Sequence, residues 1–341
     1  MRPVRLRPRL LACAAAALLA AGAPAPAAAL PGGAAGEAPA QPAQVDPPLL
    51  PPVLWSDSER IAGRGGGADP GCAPVTLVAV PGTGETNEVR DPDVAHGRIT
   101  PGLAADLRAA LGERAVRAVW LPYPSDAVAT MGYAESRARG LAALHRLLGE
   151  LAAACPGTRL ALAGYSQGAD ILAGFAADLG RGAAAVPADR IAAVAVFGNP
   201  RRGMAGAQAA GTAEPGGVGV LGPAPAGWGP LAGRVLDACN AGDLWCESTP
   251  ALRAVAGELT AASLNPARAG ESLPALGGAG RAAARAAAAD PSALPAAAGS
   301  AARVAAFLAT GQAAHTRYEE DLDGAGSARA AAAAFLLARL R

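Results

Sequence analysis

The chain contains no lysine. All 29 of its Lys+Arg cations are arginine, set against 28 Asp+Glu, for a formal net charge of +1. A balance this close provides neither the clustered basic face that nucleic acid needs nor the acidic excess of a solvating, unfolded chain. Aromatic residues make up only 4%, so the core must be aliphatic. No apolar run reaches the roughly 20 uninterrupted residues of a membrane-spanning helix. Histidine occurs three times and cysteine five times, with no Cys-x2-Cys pair to begin a zinc site. The 44 glycines and 30 prolines follow no three-residue period, which excludes collagen. What is plentiful is small and apolar: 52% of the 341 residues are hydrophobic and 17% charged, enough to bury a core.

Residues 1–9 carry four arginines, Leu10 to Ala21 form an apolar run, and a breaking segment ends in Ala27-Ala28-Ala29. This is the layout of a secretory signal peptide over 1–29, and it predicts export, with the product free or retained in the envelope. A lipoprotein signal is the rival reading of Leu10-Leu11-Ala12-Cys13, but Cys13 stands near the start of the apolar run, not its end. Residues 30–70 are rich in Pro, Ala and Gly and offer little to bury, as in a tail or linker. Beyond the leader four cysteines remain: Cys72, Cys155, Cys239 and Cys246. An even count in an exported chain predicts two disulfides, with three connectivities open. The proximity of Cys239 to Cys246 favours their pairing, which leaves Cys72 with Cys155.

Short apolar runs closed by Pro, Gly, Asn or Cys recur at Val75 to Val80, Ala115 to Leu121, Arg159 to Ala163, Ile191 to Phe197 and Arg234 to Asp237. Helical patterns lie between them, most clearly over Ala134 to Ala154, where Leu141, Leu144, Leu148 and Leu151 recur at three- and four-residue steps. Such alternation predicts an α/β fold with a mostly parallel central sheet flanked by helices, whose chemistry sits at the carboxyl ends of the strands. Residues 247–312 change character to Ala/Leu/Arg helices without a strand signal, and 327–341 read as a terminal helix with Ser327 as N-cap.

The run RLALA leads directly into Gly164-Tyr165-Ser166-Gln167-Gly168 and then into a helical segment. Strand, Gly-x-Ser-x-Gly, helix is the nucleophile elbow, in which glycines permit a turn too tight for neighbouring Cβ atoms and the hydroxyl stands clear of the sheet. A serine nucleophile needs a base. Of the three histidines, His96 lies in a polar loop, His145 lies within the amphipathic helix, and only His315 follows Ser166. Elbow hydrolases run in the order Ser, acid, His, which selects His315. The acid should lie between them on a loop after a strand. Asp243, in Cys239-Asn-Ala-Gly-Asp-Leu-Trp-Cys246, fits, because a short bridged loop would hold a carboxylate rigidly; Asp237, at a strand end, is second choice.

These segments together resemble the cutinase family of secreted serine esterases, including actinobacterial cutinase-like members. The resemblance rests on Cys72 with VTLVAVPGTGETN, Cys155-Pro156 leading to GYSQGA, Phe197-Gly198-Asn199-Pro200, the CNAGDLWC loop and His315-Thr316-Arg317-Tyr318. It implies the α/β-hydrolase fold, the bridges Cys72–Cys155 and Cys239–Cys246, a Ser166, Asp243, His315 triad, and an oxyanion hole at Thr83 and Gln167. A catalytic domain over 71–326 is expected. One departure is the sequence separation of 69 between Cys246 and His315. Because the acid and the histidine anchor its ends, the insertion at 247–312 must leave and return beside the site, as a lid would.

The expected activity is hydrolysis of carboxylic esters through an acyl-enzyme on Ser166, on lipidic or envelope esters in preference to polymer cutin. The expected partner is a hydrophobic ester, with no nucleic acid, no transmembrane segment, no metal and no organic cofactor, and the protein is expected to be a monomer. Two rivals are an acyltransferase that passes the acyl group to a sugar or lipid alcohol, and a non-catalytic envelope protein on a hydrolase scaffold. The latter predicts loss of a triad residue, and none is lost.

Overall fold

The computed structural model describes residues 72–126, 129–260, 269–289 and 312–341, with a few single positions between 260 and 312. The leader at 1–29 and the tail at 30–70 lie outside the described residues. Six strands form one sheet: β1 (Val75–Val80), β2 (Val116–Trp120), β3 (Arg159–Tyr165), β4 (Ile191–Phe197), β5 (Ala207–Ala210) and β6 (Val235–Ala238). Their order is β2-β1-β3-β4-β6-β5 and every pairing is parallel. The helices are α1 (Thr100–Leu111), α2 (Tyr133–Ala154), α3 (Gln167–Gly180), α4 (Pro250–Leu259), α5 (Ala269–Ala289), α6 (Ala313–Thr316) and α7 (Ala328–Leu340).

Sheets of this kind are buried on both faces, which is why their strands read as continuous apolar runs. The two faces nevertheless differ. Leu160 and Leu162 of β3 with Val194 and Val196 of β4 pack toward Leu144 and Leu148 of α2 and Ile171 and Phe175 of α3. The alternate positions, Ala161, Ala163, Ala193 and Ala195, share the opposite layer with Leu103 and Leu107 of α1 and with Ala332, Phe335 and Leu336 of α7. Alanine on sheet and helix alike lets α7 lie close to β4, so the Ala-rich composition is a packing device. Burying Phe335 and Leu336 is worth roughly 2 kcal/mol each, which holds the terminal helix down. Ser327 caps it as expected, its hydroxyl accepting from Ala330 N at 3.1 Å.

The strands at Val75–Val80 and Ile191–Phe197 have the bounds expected from sequence. The single turn α6 was not anticipated, and neither were two elements of the sheet layers. α1 begins at Thr100-Pro101-Gly102, which reads locally as a turn, although Leu103, Leu107 and Leu111 carry a four-residue spacing. The edge strand β5 is Ala-Gln-Ala-Ala, without a β-branched or aromatic residue, and only its parallel pairing with β6 makes it a strand. Disulfides join Cys72 to Cys155 and Cys239 to Cys246. The first, spanning 83 positions, ties the start of β1 to the end of α2 and is worth roughly 4.5 kcal/mol by loop closure, against roughly 2.5 for the second.

Candidate active site

β3 ends at Tyr165, and the next residue, Ser166, takes φ 54° and ψ −116° before α3 begins at Gln167. A serine with positive φ is strained by about 1–3 kcal/mol and survives only where its surroundings enforce it. The enforcement is steric. A Cβ on Gly168 would stand 2.0 Å from Val80 O, and one on Gly164 2.7 Å from Gly168 O, so the elbow closes against β1 only with glycine at 168 and upon itself only with glycine at 164. Ser166 N also donates to Phe197 O of β4 at 2.8 Å, fixing the turn to the neighbouring strand.

His315 arrives on the single turn α6, entered through Gln312 in the left-handed region (φ 62°). Its Nε2 lies 2.9 Å from Ser166 Oγ and its Nδ1 2.8 Å from Asp243 Oδ2. The imidazole stacks on Tyr165 with centroids 4.9 Å apart, and Tyr165 donates its hydroxyl proton to His315 O at 2.8 Å. Asp243 is fully buried in the bridged loop, where Oδ1 accepts from Trp245 N at 3.0 Å and Oδ2 also accepts from Tyr318 Oη at 2.6 Å. Asn240 of the same loop donates to Ala314 O at 3.1 Å, and Trp245 Nε1 donates to Gln312 Oε1 at 3.0 Å, so the acid loop grips α6 at two points. The structure therefore brings Ser166, His315 and Asp243 into one hydrogen-bonded chain.

Thr83 and Gln167 are adjacent, with Thr83 Oγ1 3.4 Å from Gln167 Oε1. The Gln167 carboxamide spans three segments: Nε2 donates to Ser136 Oγ at 2.9 Å and to Asp126 O at 3.1 Å, while its Oε1 faces Thr83. Its backbone N–H belongs to the first turn of α3, where no intrahelical acceptor exists and the helix dipole favours negative charge. Glu85 secures the loop of Thr83, with Oε2 accepting from Gly82 N at 2.8 Å and Oε1 from Arg98 N at 3.0 Å. Burial raises the Glu85 carboxyl above its ordinary value, against those two N–H bonds and the charges of Arg98 and His315.

The other candidates go elsewhere. His96 bonds Val94 O at 2.7 Å and Thr86 Oγ1 at 2.9 Å, and burial lowers its pKa. His145 pairs with Asp178 at 2.8 Å and accepts from Ala185 N at 3.2 Å, linking α2 to α3 and the chain that follows it. Asp237 accepts from Asn199 Nδ2 at 2.8 Å within the sheet end. Two functional contributions were not assigned from sequence. Gly198 (φ 59°) fills a place where a Cβ would stand 2.6 Å from His315 Cε1 and 3.2 Å from Asp243 Oδ2; Tyr318 supports Asp243. Both lie in segments that carry the family resemblance, which was the signal available. Among the described residues no group of three His, Cys, Asp or Glu side chains could hold a metal ion, and no helix is long and apolar enough to cross a membrane.

Burial pushes the Asp237 carboxyl from 3.8 up to about 7, against the Asn199 hydrogen bond and the charge of Arg202. The folded state thus keeps a proton that the unfolded chain loses. Below 3.8 this costs nothing; the penalty grows as pH rises toward 7 and is constant above it, approaching roughly 4 kcal/mol. Asp237→Asn is neutral throughout and can still accept from Asn199. Its stability relative to wild type, from urea unfolding, should be a few kcal/mol more favourable at pH 8 than at pH 4. A pH-independent difference would remove Asp237 from the stability profile.

A family model described as Cutinase matches residues 71–257. Similar curated proteins include a cutinase of Kineococcus radiotolerans, 34% identical over 185 residues that cover 52% of this chain and 53% of that one. Carboxylesterase Culp1 of Mycobacterium bovis is 31% identical over 150 residues, 43% of this chain and 60% of that one. The chain thus spans about half to three-fifths of the length of these relatives. Among solved structures, the catalytic core domain of acetyl xylan esterase from Trichoderma reesei aligns at TM-score 0.40 and 19% identity over 60% of this chain and 98% of that one. A cutinase-like protein from Cryptococcus sp. aligns at TM-score 0.37 and 22% identity, over 63% and 94%. Thr83, Ser166, Gln167, Asp243 and the four bridged cysteines fall inside the matched range. His315 lies beyond it and joins the group through its two hydrogen bonds.

Proposed function

The chain belongs to the cutinase family, and on that premise we propose that it is a serine hydrolase of carboxylic esters, acting through an acyl-enzyme on Ser166. The observation that carries this reading is the Ser166–His315–Asp243 chain at 2.9 and 2.8 Å. Ser166 Oγ donates its proton to His315 Nε2 as it attacks the ester carbonyl, while Asp243 holds Nδ1–H and stabilises the imidazolium. The oxyanion is received by the backbone N–H groups of Thr83 and Gln167; the Thr83 hydroxyl would serve as a further donor only on turning away from Gln167 Oε1. The imidazolium then protonates the leaving alcohol, and water, deprotonated by His315, resolves the acyl-enzyme. No other reactant is required by this sequence of steps.

The described residues, from Cys72 on, act in this reading as one catalytic unit reaching to 326, with α7 packed beneath it. Two disulfides support export, since such bridges persist in oxidising compartments. The insertion serves as a lid over an acyl groove. Support comes from its attachments: Ala134 N donates to Thr260 O at 2.9 Å and Asn265 Nδ2 to Thr130 O at 3.3 Å, on the segment next to the Gln167 contact at Asp126, while Gln312 at its far end meets Trp245. It is thus bonded to the 130–134 segment on one side and to the acid loop on the other. The preferred substrates are lipidic or envelope esters.

A fluorophosphonate probe should label Ser166, and a panel of esters of rising acyl length should be hydrolysed; failure of both overturns the assignment. Addition of an acceptor alcohol separates hydrolysis from acyl transfer by product. Each methylene the lid buries is worth about 0.8 kcal/mol, or roughly fourfold in kcat/KM. Deleting most of 255–305 should therefore flatten the chain-length dependence, and an unchanged profile would make the insertion a passive decoration.

A further inference from the structure

Tyr318 lies three residues beyond His315 and is fully buried, as is Asp243. Its hydroxyl donates to Asp243 Oδ2 at 2.6 Å, the same oxygen that faces His315 Nδ1 at 2.8 Å. Asn240 N donates to the Tyr318 oxygen at 3.4 Å, so a lone pair of the phenol is engaged from behind and its proton is left for the carboxylate. The ring is set edge-on against Phe197 at 5.7 Å and Tyr165 at 6.3 Å, and Tyr318 O accepts from Arg329 N of α7 at 2.9 Å. The phenol is thus fixed by strands, loop and helix at once. Building on the esterase reading, we infer that Tyr318 is a positioning residue of the reaction: its hydroxyl holds Asp243 and, through it, the imidazole of His315.

Burial and the Asp243 charge keep the phenol protonated far above its ordinary range, so it donates throughout any working pH. Asp243 then has three donors: Tyr318 Oη, Trp245 N and His315 Nδ1. On Oδ2, tyrosine shares the negative charge that would otherwise fall on the imidazole alone. The other titratable groups facing the pair are Tyr165 of β3, stacked on His315, and Glu85 of the β1 loop, whose charge acts on His315 and is itself paired with Arg98. On the far side of the bridge, Arg202 Nη1 reaches Cys246 O at 3.5 Å.

Tyr318→Phe removes the hydroxyl and keeps the ring. With one donor lost, Asp243 bears more charge toward His315, the imidazolium is favoured, and the acid limb of kcat/KM should move up by about half a pH unit or more. kcat should fall about 10-fold, with KM little changed, as alignment is lost. In an Asp243→Ala background the same change should cost no further activity, because its only route to the reaction has gone. Should Tyr318→Phe not fold, 3-fluorotyrosine at 318, a stronger donor of the same shape, should move the limb down. An unmoved limb, or an equal loss in the Asp243→Ala background, overturns the inference. Wild-type labelling at Ser166 separates the two claims: if it is normal and the limb does not move, only the role of Tyr318 fails; if it is absent, the esterase reading fails and this role with it.

Discussion

Ser166→Ala is expected to lower kcat for ester hydrolysis by about 10⁴- to 10⁶-fold while leaving the protein folded. The change removes one oxygen, the atom that would form the covalent bond to the acyl group. The hydroxyl makes a hydrogen bond to His315 Nε2 at 2.9 Å, and its loss costs about 1 kcal/mol, a few degrees in Tm at most. The strained backbone at φ 54° is imposed by the Gly164, Gly168 and β1 contacts and does not depend on the side chain. His315→Ala should fall by a similar factor, and the double variant should be no slower than either single one, since in the proposed mechanism nucleophile and base act as a unit. What survives would be the contribution of the oxyanion donors and of substrate binding. Activity near that of wild type in Ser166→Ala, or additive losses in the double variant, would exclude the proposed mechanism.

Different parts of this molecule were legible in the sequence to different degrees, for physical reasons. The sheet could be read because a doubly buried strand must be an apolar run, and VTLVAV and IAAVAVF are closed by Pro81 and Gly198. The elbow could be read because Gly-x-Ser-x-Gly stands directly between an apolar strand run and a helical segment. Asp243 was marked by its place between Cys239 and Cys246, whose bridge the structure contains. His315 could be chosen by chain order and by the family resemblance of His-Thr-Arg-Tyr, but the segment has no periodicity or turn signal of its own to show that the chain returns to Ser166 across 149 positions. β5 lacked a signal because alanine is indifferent to strand geometry, and its hydrogen bonds to β6 are non-local. The roles of Gly198 and Tyr318 depend wholly on contacts across the fold: a glycine's need to lack a Cβ, or a phenol's aim at one carboxylate oxygen, is written in tertiary distances.

Gly198→Ala is expected to lower kcat by about 10²- to 10³-fold, a larger loss than its effect on stability would account for. The new Cβ would lie 2.6 Å from His315 Cε1, 2.8 Å from Nδ1 and 3.2 Å from Asp243 Oδ2. The first two separations are closer than carbon and nitrogen tolerate, so either the imidazole or the Phe197–Asn199 backbone must shift. That backbone is held: Gly198 N donates to Ala238 O at 3.0 Å, and Asn199 Nδ2 donates to Asp237 at 2.8 Å. The ring is the softer partner. Its displacement by half an ångström or more would stretch both the Nδ1–Asp243 and the Nε2–Ser166 bonds, so that base strength and nucleophile alignment fail together. The left-handed φ of 59° adds about 1–2 kcal/mol of strain for alanine, which should appear as a lower Tm. Gly324→Ala provides the control: its φ is 82° and nothing lies within 4 Å of the added Cβ, so it should lose similar stability and keep full activity. Fluorophosphonate labelling rates, kcat and Tm for the two variants decide the matter. Gly198→Ala with normal labelling and only a lowered Tm would mean that the imidazole has room to spare, and that the glycine serves the turn alone.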